Sequence, residues 1–291
     1  MAATQDFPIV DAHQHFWDPT LNYYPWLSDE PLIPFRYGDY RALRRRYLPP
    51  DYLRDAAGYR IEKSVYVEAE WDPADPAGEM RYVESLRREH GLPTVAVAQA
   101  WLDHEDAARV LEQQAAYPFV RGIRHKPAPG AMGDAKWRAG FAQLARHGLR
   151  FDLQTAWPHL AEAAKLAADF PDTQIILNHA GLPADRSATG IAGWKAALKA
   201  FAACPNAAIK LSGIGQAGRE WTAQANRDIV CSVIDLFGVG RCMFASNFPV
   251  DGLCTSFRTI FDGFRQIVRD LSLTEQDALF RKNAIRIYGM D

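Results

Sequence analysis

Two histidines near the N-terminus, His13 and His15, are the residues whose type and spacing first suggest chemistry. They lie in the stretch IVDAHQHFWDP, residues 9–19, after an apolar start and before a turn. In a β-strand, residues two apart point to the same face, so the two imidazoles share a face. Two neutral imidazoles at this spacing can chelate one divalent ion, which lowers the pKa of a bound water toward ~7. The pair therefore predicts a site for hydrolytic chemistry at the end of a strand.

Eight short apolar runs alternate with stretches of helical period along the chain. The predicted strands are 9–14, 63–69, 94–101, 119–125, 149–154, 173–179, 207–212 and 241–246, and helices are predicted at 79–91, 105–117 and 159–170. Such alternation indicates parallel βαβ units, and eight of them can close a barrel. We therefore predict an α/β fold, a single-domain (β/α)8 TIM barrel over residues 1–291 with a long aromatic loop after strand 1. A doubly wound open sheet is the alternative, but no glycine-rich dinucleotide or phosphate motif follows an early strand.

Composition and charge exclude several classes of protein. The 291 residues carry a net charge of −2, with 33 basic and 35 acidic side chains interspersed, which is unlike a nucleic-acid or membrane-surface protein. The four cysteines show no CxxC spacing, so we expect reduced thiols. The N-terminus lacks the pattern of a secretory signal, and no apolar run approaches the ~18 residues of a membrane span. We expect a cytoplasmic protein without nucleic-acid or membrane partners, and association into a homo-oligomer stays open.

Polar side chains collect where the predicted strands end. They are Glu68 and Glu70, Arg124, His125 and Lys126, Asp152 and Gln154, Asn178 and His179, Lys210 and Ser212, and Ser246 and Asn247. In a barrel these ends form one ring at the face that carries the active site, so His179 becomes a third nitrogen donor beside the N-terminal pair. Trp101, at the end of strand 3, and Trp26, in the aromatic loop, are candidates for stacking against a substrate ring. Plain packing is the alternative for both indoles.

The ordered motifs VDAHQHFWDP, GIRH, FDLQ, LNHAG, IKLSG and MFASNFPVD resemble those of the amidohydrolase superfamily. More narrowly, they are similar to the amidohydrolase 2 group of TIM-barrel hydrolases, which contains sugar lactonases, sulfomuconolactone hydrolase and pyrone-dicarboxylate lactonase. The resemblance runs through residues 9–288. It implies that His13, His15 and His179 match the metal-binding histidines of the group, with zinc or manganese as the ion.

Two positions depart from the pattern of the group. Gln154 and its neighbour Asp152 lie where many members have a metal-binding histidine, and Asn247 replaces the acid that usually follows strand 8. An amide cannot accept a proton near neutral pH, so Asn247 can orient a water but cannot be the general base. Three neutral nitrogens would hold a divalent metal weakly or not at all. The leading candidates for the base are Asp251 and His179, and a helix-capping role is the alternative for Asp251.

The resemblance implies the hydrolysis of a lactone to a hydroxy acid. The lactone is expected to be a sugar aldonolactone or a carboxylated or sulfonated lactone. The catalytic candidates are His179, Asp251, Asn247 and His125, and the substrate-binding candidates are Arg124, Lys126, Gln154, Glu70, Trp101 and Trp26. The alternatives are a metal-dependent decarboxylase of the same superfamily and a non-catalytic barrel that binds a small acid or sugar.

Overall fold

The eight predicted strands form one parallel sheet in chain order, as the computed structural model shows for residues 7–290. The strands are β1 Ile9–Gln14, β2 Ile61–Val67, β3 Val95–Gln99, β4 Val120–His125, β5 Arg150–Leu153, β6 Ile175–Leu177, β7 Ala207–Leu211 and β8 Cys242–Phe244. Each strand pairs in parallel with the next, from β1 with β2 to β7 with β8. Helices between the strands complete a nearly closed (β/α)8 barrel, which confirms the predicted fold class.

Helices and short turns connect the strands. The α-helices are α1 Pro25–Ser28, α2 Pro49–Asp55, α3 Gly78–His90, α4 Ala107–Ala115, α5 Ala135–Phe141, α6 Gln143–Arg146, α7 Leu160–Asp169, α8 Ala188–Ala202, α9 Ala223–Phe237, α10 Phe257–Ile267, α11 Leu273–Asp277 and α12 Asn283–Tyr288. The predicted helices correspond to α3, α4 and α7, and α3 ends at Gly91, whose φ of 75° is the left-handed conformation of a helix stop. No helix among residues 7–290 is long and apolar enough to cross a membrane.

The predicted strand bounds were wrong mainly where polar residues follow the apolar run. Strand 6, predicted at 173–179, covers only Ile175–Leu177, and strand 8, predicted at 241–246, covers Cys242–Phe244. The backbone leaves the hydrogen-bonded ladder before the polar residues begin. These residues therefore occupy the loops at the mouth of the barrel, where their side chains are free to converge.

The segment that follows β8 closes the barrel against β1. Asn247 donates its backbone N–H to the carbonyl of His13 at 2.8 Å, and His15 donates to the carbonyl of Phe248, also at 2.8 Å. The buried carboxylate of Asp11 accepts hydrogen bonds from the backbone N–H of Ser246 at 2.9 Å and from its hydroxyl at 2.5 Å. The closure therefore fixes the position of both N-terminal histidines relative to Asn247.

The interior of the barrel is filled by side chains rather than open. Alternate strand residues, among them Val10, Val65 and Ile176, pack together with the C-terminal Tyr288. In the same interior, Lys210 donates to Asp152 at 2.5 Å, and the hydroxyl of Tyr288 lies 2.9 Å from both oxygens of that carboxylate. Lys210 and Asp152 are therefore a buried ion pair of the barrel.

The aromatic loop after β1 packs down on the mouth of the barrel. Trp26 donates its indole N–H to the carbonyl of Ala69 at 2.8 Å, and Tyr52 donates its hydroxyl to Asp11 at 2.9 Å. Trp17 and Trp26 meet edge to face with ring centroids 5.4 Å apart. The loop is therefore held by β1 and by the segment after β2, and its rings form a fixed wall.

The first turn of α3 carries a buried carboxyl group, Glu79, that supports the segment after β2. Glu79 Oε1 accepts from the N–H of Ala69 at 2.6 Å and from the Tyr66 hydroxyl at 2.9 Å. Burial, together with the nearby charge of Glu68, raises the pKa of Glu79 to about 8. Among the described residues, Glu79 Oε2 has no hydrogen-bond partner, which suits a neutral carboxyl group.

We expect the Glu79→Gln variant to gain stability relative to the wild type as pH rises. The folded protein holds the Glu79 proton up to about pH 8, whereas the unfolded chain releases it near its model value of 4.5. The wild-type free energy of unfolding should therefore fall between these two pH values, by about 1.4 kcal/mol per unit of pKa difference. Urea unfolding at pH 5 and pH 8 measures this change. Glu89→Gln, at an exposed position of the same helix, is the control, and an unchanged difference at both pH values would contradict the expectation.

Candidate active site

A cavity of about 400 Å³ opens at the carboxyl ends of the strands, where the polar residues were predicted to converge. Predicted site residues that line it are His15, Trp26, Glu70, Arg124, Lys126, Gln154, His179 and Asn247. His13 and Asp251 are buried directly behind this lining, in contact with His15 and Asn247 respectively. His125 and Trp101 line a neighbouring cavity instead.

The strand-1 pair points its Nε2 atoms at one another. His13 Nε2 and His15 Nε2 are 3.2 Å apart, and both rings are buried. His15 Nδ1 lies 2.7 Å from the carbonyl oxygen of Val67, which can only accept, so His15 carries its proton on Nδ1. His13 Nδ1 lies 3.1 Å from the side-chain oxygen of Asn178, which in this orientation of the amide also places the proton on Nδ1. In these tautomers neither Nε2 atom carries a proton, so the two Nε2 lone pairs face each other across 3.2 Å.

His179 enters the site from the loop after β6, in an uncommon backbone conformation. Its φ is 55°, its Nδ1 lies 2.9 Å from the Ser212 hydroxyl, and its ring centroid is 4.6 Å from that of His13. The ring packs against Gly213, whose φ of +60° favours glycine and where an added Cβ would lie 2.7 Å from His179 Nδ1. Glycine at this position therefore makes room for the imidazole.

The loop after β8 couples Asn247 to Asp251. Asn247 donates its side-chain N–H to Asp251 at 2.7 Å, which turns its amide oxygen to within 3.4 Å of His15 Nε2. Asp251 also accepts from the Tyr37 hydroxyl at 2.9 Å and from the N–H of Gly213 at 3.0 Å. Burial raises the pKa of Asp251, although these hydrogen bonds oppose the shift. Asp251 therefore contacts Asn247 and the loops around it, and it does not line the cavity.

The cations of the site are held by acidic partners. Arg124 donates from Nε to the carboxylate of Glu68, and from Nη1 to the side-chain oxygen of Gln154 at 3.2 Å. Lys126 forms an ion pair with Glu70 at the rim of the cavity. The charge of each predicted substrate-binding cation is therefore largely compensated by a neighbouring carboxylate.

Arg36 and Tyr37, from the loop after β1, are site residues that the sequence analysis missed. Arg36 lines the cavity, and its Nη2 lies 3.7 Å from Asp251 Oδ1, which is a looser pairing than those of Arg124 and Lys126. The loop is so rich in rings and prolines that nothing in the sequence separates these two residues from their neighbours. Only the folded loop shows that they reach across to the segment after β8.

His125 lies outside the main cavity because its ring contacts Trp137 and Leu102. Trp137 donates its indole N–H to His125 Nδ1 at 3.1 Å, and the N–H of Leu102 lies 3.4 Å from the same nitrogen. The ring also stacks on Trp137 with centroids 6.0 Å apart. Among the predicted catalytic residues, His125 is therefore the one that the structure separates from His179 and Asn247.

The three histidines of the site are neutral at pH 7. Burial lowers the pKa values of His13, His15 and His179 well below the usual range, and nearby cations lower them further. For His179 the nearby cations include Arg36 and Arg124. Neutral imidazoles can accept protons, ligate metals and bind hydroxyl groups.

The donors present fit a divalent ion only in part. Two nitrogen ligands of a tetrahedral zinc ion, at Zn–N distances of ~2.0–2.1 Å, lie about 3.3 Å apart, which the separation of His13 and His15 matches. Among residues 7–290, however, no group of three or more histidine, cysteine or acidic side chains is placed to hold a metal ion. The position that faces His15 after β8 is the amide of Asn247 rather than a carboxylate. The set therefore forms an incomplete metal site.

The backbone is strained around this cavity more than elsewhere in the described chain. Outside glycine, a positive φ occurs there at Glu70, His179, Ala180, Leu182 and Asn247. All of these except Ala180 line the cavity. Such conformations cost on the order of 1–3 kcal/mol each and persist where the surrounding structure enforces them, which is frequently at functional sites.

Comparison with known proteins agrees with this geometry. The chain matches the amidohydrolase family Amidohydro_2 over residues 10–290, and it belongs to that family. It is 40% identical to the uncharacterized protein y4mH of Sinorhizobium fredii, an alignment that covers 97% of this chain and 99% of that protein. It is 28% identical to an L-fucono-1,5-lactonase of Burkholderia multivorans, over 97% of this chain and 96% of the relative. A crystal structure of a Burkholderia multivorans amidohydrolase with bound zinc superposes with a TM-score of 0.84 at 25% identity, covering 98% of this chain and 100% of that one.

We expect the Asn247→Asp variant to require a metal ion for full stability. Its new carboxylate would lie beside Asp251, 2.7 Å from the present amide nitrogen, and would repel it unless a cation intervenes. Beside His13 and His15 the carboxylate would supply a third ligand for zinc. Thermal unfolding should show a lower Tm without zinc and a recovery with zinc, whereas Asn247→Ala should show no recovery. Equal responses of the two variants would contradict this expectation.

Proposed function

We propose that the protein hydrolyses a lactone to the corresponding hydroxy acid. The observation that carries the proposal is the neutral imidazole of His179, which lines the same cavity as the Asn247 amide and two arginines, Arg36 and Arg124. A base, a group that orients water and cations for an oxyanion are what ester hydrolysis requires. The family membership and the lactonase relatives support the same class of reaction.

In the proposed reaction His179 is the general base. Its Nδ1 is held by Ser212, which leaves Nε2 for a water molecule in the cavity. As the water oxygen attacks the lactone carbonyl, Nε2 takes a proton and the carbonyl becomes a tetrahedral oxyanion. Collapse of that intermediate breaks the bond to the ring oxygen, which receives the proton from His179, and the product is a hydroxy acid.

Asn247 orients the attacking water, and Asp251 orients Asn247. Because Asp251 accepts the side-chain N–H of Asn247, the amide oxygen is directed toward His15 and can accept a hydrogen bond from water. This arrangement assigns Asp251 a positioning role, since its carboxylate is buried and lies behind Asn247. The proton transfer in the proposal therefore belongs to His179 rather than to Asp251.

Arg36 and Arg124 are the proposed partners of the oxyanion. Arg124 is fixed by Glu68 and Gln154, so its remaining N–H groups point in a defined direction. Arg36 has a 3.7 Å contact with Asp251 and lies over the Tyr37 ring, 4.8 Å from its centroid, and it is the less compensated of the two cations. Preorganised donors of this kind typically contribute about 10²–10³-fold to the rate.

A sugar aldonolactone is the substrate class that the charges favour. A carboxylated or sulfonated lactone would need several uncompensated cations, yet Arg124 and Lys126 are already paired with Glu68 and Glu70, which leaves only Arg36 with a looser pairing among the cations described above. The amides and carboxylates that remain at the wall, such as Gln154 and Glu70, are suitable partners for hydroxyl groups. The name of the Burkholderia multivorans relative, a lactonase acting on a sugar lactone, agrees with this choice.

We expect acid release from at least one member of a panel of fucono-, rhamnono-, galactono- and glucono-lactones, followed with a pH indicator. Muconolactone and pyrone dicarboxylate should react more slowly. His179→Asn should lower kcat by about 10²–10⁴-fold, because the base is lost while asparagine tolerates the left-handed backbone. His147→Asn, at an exposed position, is the control.

Aromatic, muconate and sugar acids, tested beside the lactone panel, distinguish the alternatives. Release of carbon dioxide from aromatic or muconate acids would favour the decarboxylase, which in related barrels is expected to use the strand-8 acid that Asn247 replaces. Binding of sugar acids without turnover would favour the non-catalytic barrel. A folded protein that hydrolyses no lactone, with or without added zinc or manganese, would overturn the proposed function.

We expect Arg36→Leu to lower kcat/KM by about 10²-fold on the lactone that reacts fastest, because one oxyanion partner is removed. Arg36→Lys should retain more activity, since it keeps the charge and loses only the planar donor geometry. Steady-state kinetics measures both effects, with thermal unfolding as a check that the loop remains folded. Arg46→Leu is an exposed control in the same loop, and full activity of Arg36→Leu would contradict the role.

A further inference from the structure

A second cavity, of about 370 Å³, adjoins the candidate active site at the ends of β2, β3 and β4. Glu70, Arg124 and Lys126 line both cavities, so these residues form the partition between them. The proposed reaction takes place in the first cavity and leaves the second one without a role. Its remaining lining includes Trp71, Gln99, Trp101, Asp103 and His125.

The outer part of the partition is the ion pair of Lys126 and Glu70, which can open at little cost. The side chains of Lys126 and Glu70 are 38% and 39% exposed, and they interact through flexible side chains at the rim. Ion pairs this exposed typically contribute little to stability. Hydroxyl groups of a ligand could replace the contact by accepting from Lys126 and donating to Glu70. One ligand can therefore extend from the first cavity into the second.

The side-chain amide of Gln99 lines the second cavity. Gln99 is 9% exposed, and among the described residues its buried Oε1 has no hydrogen-bond partner. Because Oε1 is buried, the N–H groups of the amide are the part that can contact a ligand in the cavity. A hydroxyl oxygen of a ligand can accept a hydrogen bond from them.

The other polar residues of the second cavity complement this amide. His125 Nδ1 accepts from Trp137, so the neutral ring carries its proton on Nε2 and has a hydrogen bond to donate. Asp103, an exposed residue at the edge, adds an acceptor. The cavity thus offers both donors and acceptors, which is the requirement for binding several hydroxyl groups at once.

Two indoles give the second cavity an apolar surface beside these polar groups. Trp71 is 9% exposed, Trp101 is partly buried, and both line the cavity. A flat ring with C–H groups on its faces can stack on the indoles, while hydroxyl groups on its edge can bind the flanking amide, imidazole and carboxylate groups. A pyranose ring has this chemistry.

We propose that the second cavity is a subsite for a glycosyl residue, so that the preferred substrate is an aldonolactone that carries a sugar substituent. The lactone ring occupies the first cavity beside His179, and the glycosyl unit passes the Glu70–Lys126 partition to reach Gln99 and Trp101. The inference rests on the proposed function for the identity of the lactone, but binding of the glycosyl unit can be measured without turnover.

The test compares ligands that differ only by one glucosyl unit. Isothermal titration calorimetry with gluconate, cellobionate and maltobionate should show at least 10-fold tighter binding of one disaccharide acid to the wild-type protein. Gln99→Leu should abolish that advantage and leave gluconate binding within twofold, because it removes the amide from the second cavity and keeps the volume. Gln113→Leu, at an exposed position of α4, should behave as the wild type.

A second variant tests the subsite independently, in case Gln99→Leu does not fold. Asp103→Asn, at an exposed position, should reduce the disaccharide advantage by several fold with no change in Tm. Equal affinity of the wild type for gluconate and both disaccharide acids would overturn the subsite. Lactone hydrolysis together with equal affinity would overturn the subsite alone. A disaccharide advantage in a protein that hydrolyses no lactone would instead overturn the proposed reaction.

Discussion

The closure of the barrel between β1 and the segment after β8 is the constraint on which the rest of the site depends. Asp11 is completely buried there, and its carboxylate accepts from Ser246, from Tyr52 and from the N–H of His13. Burial raises the pKa of Asp11, while these donors stabilise its charged form. One carboxylate thus joins the first strand, the last strand and the aromatic loop. His15 and Asn247, which face each other in the cavity, owe their separation to this junction.

The loop after β8 keeps a carboxylate but moves it away from the reacting atoms. Where the family resemblance implies an acid, this chain has Asn247, and Asp251 contacts the amide from behind. An amide has a fixed donor side and a fixed acceptor side, so Asp251 determines which side faces the cavity. The negative charge is compensated by Tyr37, Gly213 and Arg36, which come from other loops. The loop after β8 therefore keeps a negative charge next to Asn247, but the carboxylate that carries it does not line the cavity.

The barrel and most of the polar residues of the cavity lining could be predicted because both follow from local pattern. Strand and helix periods are visible in the chain, and a polar residue at a strand end must face the mouth of a barrel, which located His179 and Asn247. The directions of single side chains could not be predicted, because they depend on distant partners. His125 is turned away by Trp137, and Lys210 is neutralised by Asp152 inside the barrel. Arg36 was missed for the same reason, since only its contact across the mouth distinguishes it.

The edge-to-face contact of Trp17 and Trp26 has an optical consequence. Both indoles line the cavity, their centroids are 5.4 Å apart, and their planes are 88° from parallel. Two chromophores held this close in a chiral arrangement couple their electronic transitions, which produces a circular dichroism signal in the aromatic region. The indole of Trp26 is anchored to Ala69, next to Glu70 at the partition, so a ligand that displaces the rim would alter the coupling. The wall of the cavity thus contains its own spectroscopic reporter, and ligand entry can be followed without a label.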